Sequence, residues 1–244
     1  MGVAYKCKKE FNRAYLCFEN SLQYAGSEEN RNNIFETINE LKEKHTVKVD
    51  NYSIVILTYN NLEYTKKCIN SIRETNKLSN YEIIIVDNNS KDETPNWLES
   101  EKDVKFIIND ENKGFPTGCN QGISIAEKSN DIFLLNNDVV IMPNSNFNLR
   151  MALYSKDNIG AAGAVSNKVG YYQIIETQCD SIDEYYSYAL RNNITNENKY
   201  NHRLKLVGFA LLIKREVLEN IEILDKKFTP GNYGDDDISL RIIK

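Results

Sequence analysis

From residue 52 onward, short apolar runs alternate with longer stretches in which apolar residues recur every three or four positions, the pattern of strands followed by helices. Residues 53–58 (Ser-Ile-Val-Ile-Leu-Thr) read as a buried strand. A helix of about 13 residues is expected next, because Asn60 and Glu63 have capping-box spacing and Tyr64, Cys68 and Ile72 share one helical face. Residues 81–86 form the second strand, and Thr94 can cap a helix carrying Pro95 in its first turn. A third strand is expected at 104–108, and Asn112-Lys113-Gly114-Phe115-Pro116 opens a helix running to about residue 128. The unbroken apolar run 132–135 then has the length of a strand buried on both faces, and it stops at Asn136-Asn137-Asp138. Successive strand-helix units predict a parallel sheet covered by helices on both faces.

The pattern is less regular beyond this point. A helix is expected at 147–154, a strand at 161–165, a long apolar strand at 204–213 turning at Gly208, and a short helix at 215–221. Residues 171–200, with Tyr171, Tyr172, Tyr185, Tyr186 and Tyr188, read as an aromatic, loop-rich region. Residues 228–234 lead into Asp235-Asp236-Asp237 and a final helix.

The first 46 residues are helical and of a different character. Gly2, Tyr5, Phe11, Ala14, Phe18 and Ser21 have offsets that resemble one tetratricopeptide repeat, and residues 28–44 form a further amphipathic helix with Ile34, Phe35, Ile38 and Leu41 on one face. A single repeat cannot bury its own face, so the segment is either a cap on the following domain or the tail of a longer array. An ordinary helical hairpin fits equally well. The expected division is therefore a helical segment at 1–46, a polar junction at 45–51 and an α/β domain at 52–244. Removal of the first segment is expected to leave ligand binding by the α/β domain intact and to weaken recognition of a protein partner or solubility.

With 244 residues, 41% of them hydrophobic, the chain can bury a sizeable core. Its net charge of -5 argues against nucleic acid as a partner, since binding a phosphate backbone needs a basic face. The five cysteines are odd in number, widely spaced and without a C-x-x-C pair, which points to reduced thiols. There is no signal-peptide core and no apolar run long enough to span a bilayer, so a cytoplasmic location is expected.

The chemistry-bearing residues gather at predicted strand ends. Asp87 and Asp138 close two strands of one parallel sheet and should face the same edge, where α/β proteins bind ligands. Asp138, beside the amide oxygens of Asn136 and Asn137, suits a hard divalent cation such as Mn²⁺ or Mg²⁺ that also takes phosphate oxygens. Asp87 can accept from a nucleobase imide or a ribose hydroxyl, with Thr58, Tyr59 and Asn60 lining the other side, while Asn89, Ser90 and Asp92 are also turn formers. Lys113, Gly114 and Phe115 precede a helix N-terminus whose free N–H groups favour an anion such as a pyrophosphate. Asp235, Asp236 and Asp237 start a helix, where the dipole accommodates acids, and one of them can serve as a carboxylate base.

Five stretches in this order, Ile-Val-Ile-Leu-Thr-Tyr-Asn-Asn, Ile-Val-Asp-Asn-Asn-Ser, Asn-Lys-Gly-Phe, Leu-Leu-Asn-Asn-Asp-Val and Gly-Asp-Asp-Asp-Ile-Ser-Leu-Arg, resemble the family-2 glycosyltransferases of GT-A fold. The resemblance spans residues 52–244 and implies an α/β, Rossmann-like, mostly parallel sheet, preceded here by a small helical segment. It also implies metal-assisted, inverting transfer of a hexose from a UDP- or dTDP-sugar to a glycan or protein acceptor. Thr58, Tyr59, Asn60 and Asp87 match the nucleoside site. Asn136 and Asp138 match the ends of the metal-binding D-x-D motif, and Asp235 matches the usual base, with Asp236 its neighbour. Asn136 replaces the first D-x-D carboxylate, and Gly234 stands where Glu usually precedes the base, leaving the register among the three acids open. The family pattern also continues to a metal-contacting His, a place that neither His45 nor His202 occupies. A nucleotidylyltransferase would need a Gly-rich basic loop that residues 57–61 lack. A non-catalytic sugar-nucleotide-binding or scaffold protein, using the N-terminal helices as its surface, is the alternative.

Overall fold

The computed structural model describes every residue except 79, 171, 222, 231, 232 and 244. Tyr171 of the aromatic region, two residues of the 228–234 segment and the last residue of the final helix thus lie outside the described residues.

Strands β1 (Tyr52–Thr58), β2 (Tyr81–Asp87), β3 (Val104–Ile108) and β4 (Asp131–Asn136) are parallel, while β5 (Ala161–Gly163) and β6 (Ala210–Ile213) join antiparallel at the β4 side. The order among the described residues is β3-β2-β1-β4-β6-β5, so the direction of winding reverses between β1 and β4. That reversal opens a crevice at the carboxyl ends of these two strands. The expected fold class, a mostly parallel sheet flanked by helices, is the one observed.

Alternation along β1 sends Ile54 and Ile56 to one face and Val55 to the other, and two cores form. On the first face, Cys68, Ile69 and Ile72 of α4 (Leu62–Thr75) cover the sheet together with α5 (Thr94–Ser100) and α7 (Ser145–Leu153). On the second face lies α6 (Gly114–Ile125), joined by α9 (Arg215–Ile221) and α10 (Gly234–Ile243). A Cβ placed on Gly118 or Gly122 would come within 2.2 Å of Leu57 or 2.4 Å of Val55. Helix α6 therefore lies on β1 more closely than any other residue at those two positions would permit.

The N-terminal helices α1 (Gly2–Cys7), α2 (Phe11–Ser21) and α3 (Glu28–Lys44) share the first core, since Ala14, Leu16, Ile38 and Leu41 are buried with Tyr52, Ile54 and Phe133. They form a cap on the sheet. Gly2 packs on Phe18, as a repeat-like pair would, but nothing further marks a repeat. Phe35 is off the buried face and 42% exposed. Glu19 of α2 is buried and accepts from Tyr15 Oη, Asn80 Nδ2 and the buried Arg150 of α7.

Several expected boundaries shift. The 204–213 strand pairs only over Ala210–Ile213, because the chain ahead of it turns away at Gly208, and the 161–165 strand stops at Gly163. Helix α6 ends at Ile125 rather than near 128. The capping pair Asn60 and Glu63 is not used; Asn61 takes the cap position in a left-handed conformation, and the Leu62 N–H donates to Asp92 instead. Thr94 lies inside α5 rather than capping it, and its N–H also donates to Asp92. The expected loop 171–200 contains α8 (Ile182–Asn192), started by Ser181, whose hydroxyl accepts from Glu184 N at 3.3 Å. The signal was present as the spacing Ser181-x-x-Glu184, a capping box. No helix among the described residues is long and apolar enough to cross a membrane.

Candidate functional site

The parallel register sets Thr58 opposite Asp87 and Leu57 opposite Asn136, so the ends of β1, β2 and β4 stand level. Loops 58–62 and 87–94 are laced together above them. Asn60 N donates to Ser90 Oγ at 2.7 Å, Lys91 N donates to Asn60 Oδ1 at 2.8 Å, and Asn60, Asn61 and Asn89 all adopt positive φ. Asparagine tolerates that backbone better than most residues, which accounts for its density here.

Within this frame Asp87 is fully buried, and its carboxylate accepts from the Ser90 N–H and hydroxyl. Thr58 is buried as well, its hydroxyl 2.8 Å from Thr65 Oγ1. Both residues are thus buried beneath the loops that close the ends of β1 and β2. Tyr59, 48% exposed, and the partly exposed Asn60 and Asn89 form the reachable wall.

The expected anion cradle also differs. Lys113 N donates to Asn88 Oδ1 at 3.1 Å, Gly114 N to Asn112 Oδ1 at 3.0 Å and Phe115 N to Pro230 O at 2.9 Å. The N–H groups expected to be free are thus occupied. Lys113 Nζ pairs with Asp110 at 3.3 Å, and Gly114, at φ +77°, presses against Thr229. Asn88, which sequence reasoning passed over, is the hub. It is buried, accepts from Asn109 and Lys113, and donates to Asn112. Its only sequence signal was its place next to Asp87.

On the other side of the crevice, Asn136 N donates to Phe209 O at 2.8 Å. Asn137 turns its amide onto Thr58 and Thr65, at 3.3 and 3.1 Å, whereas Asp138 is exposed. Burial, and next the Asp138 charge, push the Cys68 thiol up to about 12. Among the described residues no group of three or more His, Cys, Asp or Glu could hold a metal. Asp138 and the Asn136 amide are hard oxygen donors, and they fit a divalent cation that takes its remaining ligands from a diphosphate and water.

The three acids of α10 are not equivalent. Asp236 pairs with Lys205 at 2.6 Å and Asp237 with Arg241 at 2.6 Å. Asp235 instead accepts from the Gly208 N–H at 3.0 Å, and a Cβ on Gly208 would lie 2.5 Å from its Oδ1. Mutual repulsion among them is thereby relieved, so their adjacency has a structural account that the sequence did not reveal. Burial, and then the Asp235 charge, raise the Cys119 thiol. Gly208 is a second residue that sequence reasoning valued only as a turn.

A family model described as Glycosyl transferase family 2 matches residues 53–222. No curated protein sequence matched the chain. Among solved structures, S. aureus TarS 1-349 in complex with UDP is similar, at 15% identity and a TM-score of 0.56 over 79% of this chain and 55% of that one. The mannosyltransferase PcManGT from Pyrobaculum calidifontis, in complex with GDP-Man and Mn²⁺, is 17% identical, with a TM-score of 0.51 over 92% of this chain and 61% of that one. GalNAc-T7 with UDP, GalNAc and Mn²⁺ is 14% identical, with a TM-score of 0.59 over 81% of this chain and 41% of that one. At such identities the likeness is one of fold.

Proposed function

The chain belongs to glycosyl transferase family 2, and on that premise we propose that it transfers a sugar from a nucleoside diphosphate donor to an acceptor hydroxyl with inversion. The observation that carries the reading is a short relay on the β4 side of the crevice. Asn136 N binds Phe209 O, and the adjacent Gly208 N binds Asp235, which sets the carboxylate of α10 beside the end of β4. A donor-side carboxylate, Asp138, and an acceptor-side carboxylate, Asp235, are thereby associated with one edge.

In this reading Asp235 accepts the proton of the acceptor hydroxyl while the acceptor oxygen bonds to the anomeric carbon and the bond from that carbon to the diphosphate oxygen breaks. A single in-line displacement inverts the anomeric centre. Asp235 suits the role better than its neighbours because Asp236 and Asp237 are each paired with a cation, whereas Asp235 accepts from the Gly208 N–H. Asp138, with Asn136, would hold a divalent cation, which would supply positive charge to the diphosphate as it leaves. Tyr59, Asn60 and Asn89 line the nucleoside side over the floor made by Thr58 and Asp87. We assign this work to a domain at 52–244, with residues 1–46 as its cap and a candidate surface for a protein partner.

The structures of the similar proteins hold UDP, GDP-Man and Mn²⁺, which supports a metal-dependent nucleotide-sugar site without selecting the base. The test is incubation with UDP-, dTDP- and GDP-sugars in the presence of Mn²⁺, reading release of nucleoside diphosphate and the melting temperature. Turnover with one donor class is the expected result. Neither release nor stabilisation with any of them overturns the proposal and favours a scaffold.

A further inference from the structure

Ala164 N donates to Ala210 O, and Phe209 O accepts from Asn136, so the excursion between β5 and β6 leaves and rejoins the sheet at the edge that carries Asp138. Its root is rigid. Gln173, only 4% exposed, donates to Ala164 O at 2.6 Å and accepts from Val207 N at 2.7 Å, one residue before the glycine that holds Asp235. Ile175 N then donates to Ser166 O, and residues 176–179 that follow line a cavity together with residues of α8.

Between that segment and α8 lies an open cavity of about 890 Å³. Its lining residues include Tyr188 and the acids Glu176, Asp183 and Glu184, with Arg191 as the cation among them. Volumes of this size accommodate a ligand larger than a single small metabolite, and an aromatic ring among amides, hydroxyls and carboxylates is suited to an apolar sugar face with hydroxyls at its rim. The excess of carboxylates repels phosphate or carboxylate groups.

We infer that this cavity is the subsite that holds the acceptor, and that the acceptor is a neutral saccharide of more than one ring. The inference rests on the glycosyl-transfer reading and adds where and what the acceptor is. Tyr188 supplies the platform, and the buried Gln173, three residues before Glu176 of the cavity wall, ties that wall to Val207, the residue before the glycine that holds Asp235. Nucleotide binds on the far side of the edge and does not depend on the cavity.

Cys179 lines the same cavity and gives a readout independent of turnover. The experiment is alkylation of the intact protein followed by peptide mass spectrometry, with neutral disaccharides (maltose, lactose, N,N′-diacetylchitobiose) or glucose 6-phosphate present. Cys7, exposed on α1, serves as the internal control. Slower alkylation of Cys179 by at least one neutral disaccharide, with Cys7 unaffected, is expected. Tyr188→Ala should abolish that protection and raise the acceptor KM about tenfold, with the donor-induced melting shift unchanged. No protection by any neutral disaccharide, or equal protection by the phosphorylated sugar, overturns the inference. The donor-binding measurement reports separately on the glycosyl-transfer reading, so the two can fail independently.

Discussion

Asp235 accepts a hydrogen bond from the Gly208 amide at 3.0 Å, across a gap that a single methyl group at residue 208 would close to 2.5 Å. The carboxylate is thus aimed by backbone, not by a cation, and it keeps lone pairs for a proton donor. Its neighbours in α10 are each neutralised by a basic side chain. Asp235→Asn keeps shape and removes basicity, so turnover should fall roughly 10²- to 10⁴-fold while nucleotide affinity is retained. Asp236→Asn and Asp237→Asn should cost far less. Full turnover in Asp235→Asn combined with loss in either neighbour would reassign the base.

Gly208→Ala tests the same contact from the other side. The added Cβ displaces the carboxylate, so kcat should drop with a small change in donor affinity and in melting temperature. A wild-type kcat in this variant would show that the position of Asp235 set by Gly208 does not matter to the reaction.

The sheet was readable because apolar runs and helical periodicity agree with one another over residues 52–136, and β1, β2 and β4 fall where the runs fall. The edge was readable for the same reason, since Asp87 and Asp138 follow directly from where those runs stop. What the sequence concealed is set by tertiary partners. Asp87 looks like a free carboxylate in sequence, and the Ser90 N–H and hydroxyl both donate to it in the fold. The amides of residues 113–115 look like an anion cradle until Asn88, Asn112 and Pro230 are seen to fill them. Asp236 and Asp237 could not be told from Asp235 without Lys205 and Arg241, the first of which is about 30 residues away along the chain. Helix α8 was overlooked although Ser181 and Glu184 signal its start, because tyrosines and asparagines on both sides obscured the period.

Asp138 is exposed, and among the described residues no group of three or more His, Cys, Asp or Glu could hold a metal, so a cation at Asp138 would be held chiefly through the diphosphate. Nucleoside diphosphate and Mn²⁺ together should therefore raise the melting temperature more than either alone. With ligand at 100 times its Kd the gain is about 2.7 kcal/mol. Asp138→Ala should lower both this gain and turnover. Stabilisation that persists undiminished in excess chelator would remove Asp138 from the metal site.

Glu40 of α3 binds Lys6 of α1 at 2.8 Å and Lys44 at 3.1 Å, and these hydrogen bonds hold its carboxyl at about 2, below the ordinary 4.5. A depressed carboxylate contributes stability above its unfolded value and loses that contribution as the pH falls through its folded one. The tie between α1 and α3 should therefore be intact above about 4.5 and weaken toward 2, with high salt weakening it further. An NMR titration of the Glu40 carboxyl carbon checks this. A midpoint at or above 4.5 means that the two lysines do not engage it in solution.

The cap as a whole hangs on Glu19. Its carboxylate is buried among Tyr15, Asn80 and Arg150, and Arg150, itself 4% exposed, also donates to Asp50 O at 2.8 Å. Removing one partner of a buried ion pair strands the other charge, at a cost of about 3–5 kcal/mol. Glu19→Gln should accordingly lower the melting temperature by far more than a surface change, whereas Glu19→Gln with Arg150→Met should recover part of the loss, since an apolar side chain no longer needs a counter-charge. Deleting residues 1–46 removes Glu19 and also uncovers Tyr52 and Ile54, both buried under the cap side of the sheet. The change of sequence pattern near residue 46 suggested a segment that can be removed without harm to nucleotide binding. The shared core argues the reverse, that the truncated chain is destabilised or insoluble and binds nucleotide only to the extent that it folds. A truncated protein with an unchanged melting temperature and a full nucleotide-induced shift would show that the cap is dispensable after all.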